Sequence, residues 1–295
     1  GIWRPEQAEL RDRRLMWEVL TRAELFALGM TPRAITAAVA AGDLIRARRD
    51  NYLAADAPRA LVEAVRVGGR LGCLSLLALL DVFVYETPAL HVHMERGDSR
   101  MRAPQHRGAL PSRRLRDGVV LHWQRFVAEP TRGCVDIVDA LIQSVRCQQP
   151  RHAIATLDSA LNKHLIELGQ IGEVFAALPA RYGVLRGLLD ARAQSGTETL
   201  VRLMLRRIGC DVELQVNFAG VGTVDLVVDG WLVIECDSNA FHSSWQQQLK
   251  DRRRDLALAR QGYCVLRIAA EDILYREDEV FQALVEVITN NQYAR

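Results

Sequence analysis

Lysine is nearly absent from this 295-residue sequence, because Lys163 and Lys250 are the only lysines among its 38 basic residues. Net charge is nearly absent as well, at +2, and this excludes a chain coated uniformly with basic groups for nucleic-acid binding. The charge is instead unevenly placed. Residues 57–130 hold four more basic than acidic side chains, whereas residues 195–295 hold four more acidic than basic ones. This asymmetry indicates different roles for different parts of the chain.

Long apolar runs and paired cysteines are also lacking. The longest apolar run, residues 71–85, is interrupted by Ser75 and Asp81 and is too short to cross a bilayer. The six cysteines form no Cys-x-x-Cys pair and match no zinc-binding spacing. Cysteines in apolar sequence are typical of core residues in a reduced protein, so we expect a cytoplasmic location and no membrane partner. The sequence also argues against metal binding by the histidines of the middle segment, because no carboxylate or cysteine completes their set: His91, His93, His106 and His122.

The order of predicted elements divides the chain into three segments. Residues 1–56 contain short helices and a basic hairpin, and residues 57–194 are mostly helical with an arginine-rich loop. Residues 195–295 follow the order α-β-β-β-α-β-α, which favours a mixed sheet flanked by helices. The predicted fold class is therefore α/β, or α+β overall, with an N-terminal winged helix-turn-helix and a mostly helical middle region.

The first segment has the start and stop signals of a helix-turn-helix after an initial helix over residues 8–20. Thr21 and Glu24 have capping-box spacing at the start of a short helix. Thr31 precedes a proline and begins the next helix, which Gly42 ends. Two short helices in this arrangement predict a DNA-recognition pair.

A basic hairpin follows the two helices and predicts the wing. Arginine alternates with apolar residues over residues 44–48, and Asp50-Asn51 suits a turn with positive φ. The predicted DNA contacts are base-reading residues on the recognition helix and phosphate-holding residues on the wing: Thr31, Arg33, Thr36, Arg46, Arg48, Arg49 and Tyr52. A small three-helix bundle followed by a solvated basic hairpin would produce the same pattern.

The middle segment has an arginine-rich loop between two predicted strands, residues 89–94 and 119–123. Prolines and glycines in the loop argue against a helix. Its arginines are candidates for a second contact with nucleic acid or with a partner: Arg100, Arg102, Arg107, Arg113, Arg114 and Arg116. A solvated loop, or docking of an acidic partner protein, explains the same composition.

Acidic residues interrupt the apolar strands of the last segment. Asp225 lies within the strand 224–228, and Glu235 and Asp237 share one face of the strand 232–237 because they are two residues apart. Unpaired buried acids are costly. Carboxylates that converge on Mg²⁺ supply a reason, since Mg²⁺ prefers oxygen ligands and activates water for phosphodiester cleavage. Pairing with the nearby arginines is the structural alternative: Arg252, Arg253, Arg254 and Arg267.

The turn at Asp229-Gly230 decides whether this metal site can exist. A two-residue turn would pair Asp225 with Ile234 and put Asp225 and Glu235 on opposite faces of the sheet. A three-residue loop, or a bulge at Gly230, would bring the two carboxylates together. We predict the odd-numbered loop.

The N-terminal segment resembles the DNA-binding domain of AbiEi-type antitoxins in two stretches, Thr21-Arg22-Ala23-Glu24-Leu25 and residues 44–52. Arg49-Asp50-Asn51-Tyr52 takes the place of the Arg-Gly-Val-Tyr wing motif, and residues 155–161 resemble the middle of actinobacterial members. The resemblance implies the antitoxin of a type IV toxin–antitoxin pair that represses its own operon. It also implies double-stranded operator repeats and a nucleotidyltransferase-type toxin as partners, with no cofactor needed for DNA binding.

The C-terminal segment, from Glu198 to Val287, resembles the very-short-patch-repair-like branch of the PD-(D/E)XK nucleases. The resemblance implies five catalytic positions: Glu198, Asp225, Glu235, Asp237 and His242. Asp225 and Glu235 would hold Mg²⁺ if the site is active. Phe241-His242 stands where the branch commonly has His-His, and Ser238 where it has Gly. A DNA-binding regulator is thus the first functional hypothesis, a Mg²⁺-dependent DNA endonuclease is the second, and a protein-interaction module is the third.

Overall fold

The computed structural model describes residues 17–86, 89–98, 100–106, 108, 118–237 and 245–294. The chain forms two compact units. The N-terminal unit lies within Gly1–Gln148 and Lys163–Gly183, and the C-terminal unit lies within Gln149–Asn162 and Val184–Arg295. These units do not follow the segment borders expected at residues 56 and 194, and the division into three domains stays a prediction. Across the described ranges, no helix is long and apolar enough to cross a membrane.

From residue 17 onward, the N-terminal unit has first two short helices and a hairpin, in the order α1 (Arg22–Ala27), α2 (Pro32–Ala41), β1 (Leu44–Arg48) and β2 (Asn51–Ala54). Thr21 and Glu24 form the predicted capping box, and Thr31 caps α2. Gly42 ends α2 with a φ of 84°. The local signals in the sequence therefore set these boundaries, although most of the helix predicted over residues 8–20 lies outside the described residues.

The other described residues of the N-terminal unit form a three-stranded sheet and four α-helices. Strand β4 pairs antiparallel with β3 and parallel with β5. The elements are α3 (Arg59–Val67), β3 (Arg70–Leu71), α4 (Cys73–Leu79), β4 (Leu90–His93), β5 (Val119–His122), α5 (Ile137–Cys147) and α7 (Leu168–Ala176). Helix α4 covers only part of the apolar run of residues 71–85, because Asp81 takes a φ of 61° and ends the helical path.

The C-terminal unit contains a four-stranded mixed sheet in the order β6-β7-β8-β9. The first three strands are antiparallel, and β9 runs parallel to β8 after the crossover helix α9. The elements are α6 (Pro150–Asn162), α8 (Gly196–Ile208), β6 (Val212–Phe218), β7 (Gly222–Val228), β8 (Leu232–Asp237), α9 (Trp245–Arg260), β9 (Cys264–Ala269), α10 (Ala270–Tyr275) and α11 (Glu277–Ala294). This confirms the predicted element order and adds α10. A 3-10 helix, Ala180–Leu188, runs across the border of the two units in the chain.

Helix α6 is tied to α8 by a buried ion pair. The Asp158 carboxylate accepts hydrogen bonds from Arg202 Nη2 at 2.8 Å, Thr199 Oγ1 at 3.0 Å and the Asp190 amide at 2.8 Å. Burial raises the pKa of Asp158 to about 6 in spite of these donors. The pair explains why α6, which lies in the predicted middle segment, packs against α8 in the C-terminal unit.

Removal of the Asp158 carboxylate should strongly destabilise the C-terminal unit. Asp158→Ala leaves the guanidinium of Arg202 buried without its charge partner, which should lower the free energy of unfolding by about 3–5 kcal/mol. Urea denaturation measures the loss, with Arg59→Ala on the surface of α3 as a control that should leave stability unchanged. A loss below about 1 kcal/mol for Asp158→Ala would contradict the assigned role of the pair.

Candidate functional site

The loop between β7 and β8 contains three residues, as the sequence predicts. Val228 pairs with Leu232 and Leu226 pairs with Ile234, so residues 229–231 form the connection. Asp229 and Gly230 take φ values of 49° and 70°, the left-handed conformation that Asp tolerates and Gly prefers. This register sets Asp225 directly opposite Glu235, on one face of the sheet.

The backbone holds the two facing carboxylates in place. The Cys236 amide donates to Asp225 Oδ2 at 2.8 Å, and the Asp225 amide donates to Glu235 Oε2 at 3.3 Å. Glu235 is only 5% exposed, and its Oε1 atom is buried without a hydrogen bond among the described residues. This oxygen instead has the Arg254 guanidinium as its charge partner at 3.0 Å, and two facing carboxylates in this position suit a divalent cation, for which carboxylate oxygens are preferred ligands.

Glu198 joins this pair from helix α8. Ser195 caps the helix, and its Oγ accepts a hydrogen bond from the Glu198 amide at 3.2 Å. The Glu198 carboxylate accepts hydrogen bonds at 2.9 Å from the Gln194 amide and from Gln215 Nε2. The sequence analysis missed Gln215, which interrupts the ladder between β6 and β7 with a φ of 54°. Polar and apolar residues alternate along β6, so nothing in the sequence distinguishes Gln215 from Glu213 and Asn217.

The carboxylates lie close enough to affect one another's ionisation. Burial, and then the charge of Asp225, raise the pKa of both Glu198 and Glu235. The buried Cys236 thiol has a pKa well above its usual value, because of burial and the nearby carboxylates of Asp225, Glu198, Glu235 and Asp237. The structure thus gathers four of the five predicted catalytic residues, and the fifth, His242, lies outside the described residues.

Two arginines partly offset this negative charge. Arg254 Nη2 lies 3.0 Å from Glu235 Oε1. Arg267 contacts Asp237 at 3.2 Å and Asp255 at 2.8 Å, and these contacts raise the pKa of its guanidinium. The pairing with arginines that the sequence offered as an alternative is therefore present for Glu235 and Asp237. It does not replace the convergence of Asp225, Glu198 and Glu235.

A second charged site lies in the N-terminal unit, where the wing meets the start of the arginine-rich loop. A cavity of about 460 Å³ is lined by Ala47 and six arginines: Arg46, Arg48, Arg49, Arg66, Arg100 and Arg102. The wing and loop arginines, predicted as separate contact groups, therefore surround one space. The remaining arginines of that prediction lie outside the described residues: Arg107, Arg113, Arg114 and Arg116.

Two of the predicted DNA contacts have partners within the fold. Tyr52 is 4% exposed and packs with Leu25 and Ile35, so its ring belongs to the core. Arg48 donates hydrogen bonds to the carbonyl oxygens of Val67 at 2.9 Å and Arg100 at 3.3 Å, and its guanidinium occupies the space next to Gly68.

The predicted DNA contacts of the recognition helix, α2, are exposed, and two of them make hydrogen bonds to the backbone of the same helix. Thr31 caps α2 by accepting a hydrogen bond from the Ala34 amide, and Thr36 Oγ1 donates to the Pro32 carbonyl. These contacts order the first turn of the helix, and Arg33 lies between them on its exposed surface. The DNA-binding roles of Thr31, Arg33 and Thr36, and of Arg46 and Arg49 on the wing, stay predictions.

The comparisons with known proteins agree with the geometry of the C-terminal unit. The model of the family REase_MTES_1575 matches residues 198–288. Two uncharacterized proteins of Mycobacterium tuberculosis, MT2308 of strain CDC 1551 and Rv2248 of strain H37Rv, are each 27% identical over 259 residues. The aligned region covers 83% of this chain and 92% of each relative. The chain is a mixed α/β protein whose C-terminal domain is restriction-endonuclease-like.

Loss of either facing carboxylate should weaken divalent-metal binding. Asp225→Asn and Glu235→Gln each remove one anionic ligand, so the affinity for Mn²⁺ should fall at least about tenfold. Titration calorimetry or Mn²⁺ electron paramagnetic resonance measures the change. Asp229→Asn, in the adjacent loop, is a matched control that should bind Mn²⁺ like the parent chain. Equal affinities in all variants would show that the facing carboxylates are not ligands.

Proposed function

We propose that this protein is a divalent-metal-dependent DNA endonuclease. The observation that carries the proposal is the register of β7 and β8, which sets Asp225 against Glu235. Glu198 approaches the same carboxylates from α8. The restriction-endonuclease-like match over residues 198–288 includes all three acids and supports the same reaction class.

Asp225 and Glu235 would hold the metal, and the surrounding residues would position them. When bound, Mg²⁺ would activate a water molecule and stabilise the negative charge that develops on the phosphate during cleavage. The amides of Cys236 and Asp225 fix one oxygen of each carboxylate, which limits the reorganisation needed for binding. Gln215 and the Gln194 amide orient Glu198 in the same way.

Arg254 and Arg267 supply positive charge beside the acids. Their ion pairs with Glu235 and Asp237 reduce the repulsion between an acidic site and a phosphate backbone. Arg254 also donates to the Thr223 carbonyl in β7, so helix α9 is attached to the strand that carries Asp225. We infer that these arginines help to position the site.

Plasmid nicking tests the endonuclease. The full chain with Mg²⁺ or Mn²⁺ should convert supercoiled plasmid to nicked or linear DNA, and Asp225→Ala should reduce the rate by at least about a hundredfold. Asp229→Asn should cleave like the parent chain. Cleavage that survives Asp225→Ala would point to a contaminating nuclease, and a complete lack of cleavage with either metal would contradict the proposal.

A DNA-binding regulator is the second candidate, and the arginine-lined cavity favours it. Arg46 and Arg49 of the wing lie beside Arg66, Arg100 and Arg102, and such a cluster suits a phosphate. The exposed recognition helix would read bases next to this contact. The AbiEi-type antitoxin role, the operator repeats and the toxin partner rest on the sequence resemblance, since the mycobacterial relatives carry no such name.

Binding to a short fluorescent duplex separates this candidate from the endonuclease when it is measured without divalent metal. Arg46→Ala with Arg49→Ala should weaken binding at least about tenfold and reduce the slope of log K against log salt by about 0.9 for each lost phosphate contact. Arg181→Ala, an exposed arginine outside the cavity, is the matched control. An unchanged slope would exclude the wing from the interface. Preference for the DNA upstream of the protein's own gene would favour regulation.

A further inference from the structure

Two cysteines and two histidines meet in the N-terminal unit, and none of them belongs to the carboxylate site or the arginine-lined cavity described above. They are Cys73, His91, His122 and Cys147, and their ligand atoms all lie within 4.8 Å of one another. His91 Nδ1 and His122 Nε2 are 3.1 Å apart.

These separations are close to those of a tetrahedral zinc site. Zn²⁺ binds imidazole nitrogen at about 2.0–2.1 Å and thiolate sulfur at about 2.3 Å, which places neighbouring ligand atoms about 3.3–3.8 Å apart. The cluster therefore needs only small side-chain adjustments to enclose one ion. Two thiolates with two imidazoles form a ligand set that selects zinc over the hard cation expected at a carboxylate site.

The fold brings each ligand from a different element. Cys73 begins α4, His91 lies in β4, His122 ends β5 and Cys147 ends α5. Such dispersed residues leave no local spacing in the sequence, and for this reason the sequence predicts core cysteines and no cysteine that completes a metal-binding set with the histidines. That expectation is wrong for their placement, since the four side chains form one cluster.

Neighbouring groups support the position of the ligands. Ser75 Oγ accepts a hydrogen bond from the His91 amide at 2.9 Å, which fixes the strand next to α4. Cys73 and His91 are buried, whereas Cys147 is exposed at the rim. His122 also lines a cavity of about 410 Å³, so two of the four side chains, Cys147 and His122, lie at the accessible side of the cluster.

We propose that Cys73, His91, His122 and Cys147 bind one structural zinc ion. Four protein ligands leave no open position for water, so the ion holds the fold and takes no part in a reaction. It connects two helices to the parallel pair of strands β4 and β5, in a sheet of only short strands. The proposal is independent of the endonuclease and of the DNA-binding candidate.

Metal analysis of the full chain tests the proposal. Protein purified under reducing conditions, loaded with ZnCl₂ and gel-filtered, should carry about one zinc ion per chain. Cys147→Ser changes an exposed ligand, so the variant should stay folded by circular dichroism, and its zinc affinity should fall at least about tenfold. Cobalt substitution should give thiolate-to-metal charge-transfer absorption that this variant loses in large part. Chelation should lower the Tm of the parent chain.

Two matched controls locate the zinc. Cys264→Ser removes an exposed cysteine from the C-terminal unit, and Asp225→Asn removes a carboxylate of the candidate active site, so both variants should keep about one zinc ion per chain. Zinc lost with Asp225→Asn but kept with Cys147→Ser would overturn the proposal. A disulfide between Cys73 and Cys147 in the reduced, zinc-loaded preparation, or a chain that binds no zinc, would overturn it as well.

Discussion

The odd number of residues in the β7–β8 loop is the constraint on which the carboxylate site depends. Side chains alternate across a sheet, so a shift of one residue would move Glu235 to the face opposite Asp225. Asp229 and Gly230 prevent that shift because both accept a left-handed backbone, which a β-branched residue resists. This register places Asp225 and Glu235 on one face of the sheet. The contacts of Glu198, Gln215 and Arg254 support a shared carboxylate site only in that arrangement.

Local signals in the sequence were sufficient for much of the fold. Thr21 and Glu24 fixed a helix start, Gly42 fixed a helix end, and Asp229-Gly230 fixed a register, because each acts through backbone geometry within a few residues. Tyr52 shows the limit of such inference. Its place beside wing arginines suggested a DNA contact, but the side chain lies in a core made by α1 and α2.

Long-range contacts account for what the sequence could not predict. The pairing of Asp158 with Arg202 spans 44 residues, and the grouping of Cys73 with Cys147 joins helices that are far apart in the chain. Neither contact has a spacing that marks it. The arginines illustrate the same point, since Arg46 and Arg100 were assigned to separate groups and yet line one cavity, whereas Arg254 and Arg267 are held against acids.

Each compact unit is assembled from separate stretches of chain, and this has a consequence for synthesis on the ribosome. Helix α6 is translated before every strand of the sheet in its own unit, so Asp158 leaves the exit tunnel before Arg202 exists. Until Arg202 is synthesised, the nascent helix exposes an unpaired carboxylate and an apolar face. Chaperones bind surfaces of this kind. The N-terminal unit, in turn, stays incomplete until α7 has emerged. Dividing the gene at a single position would therefore not give two complete folding units. A fragment for expression has to include both stretches of the chain that form its unit.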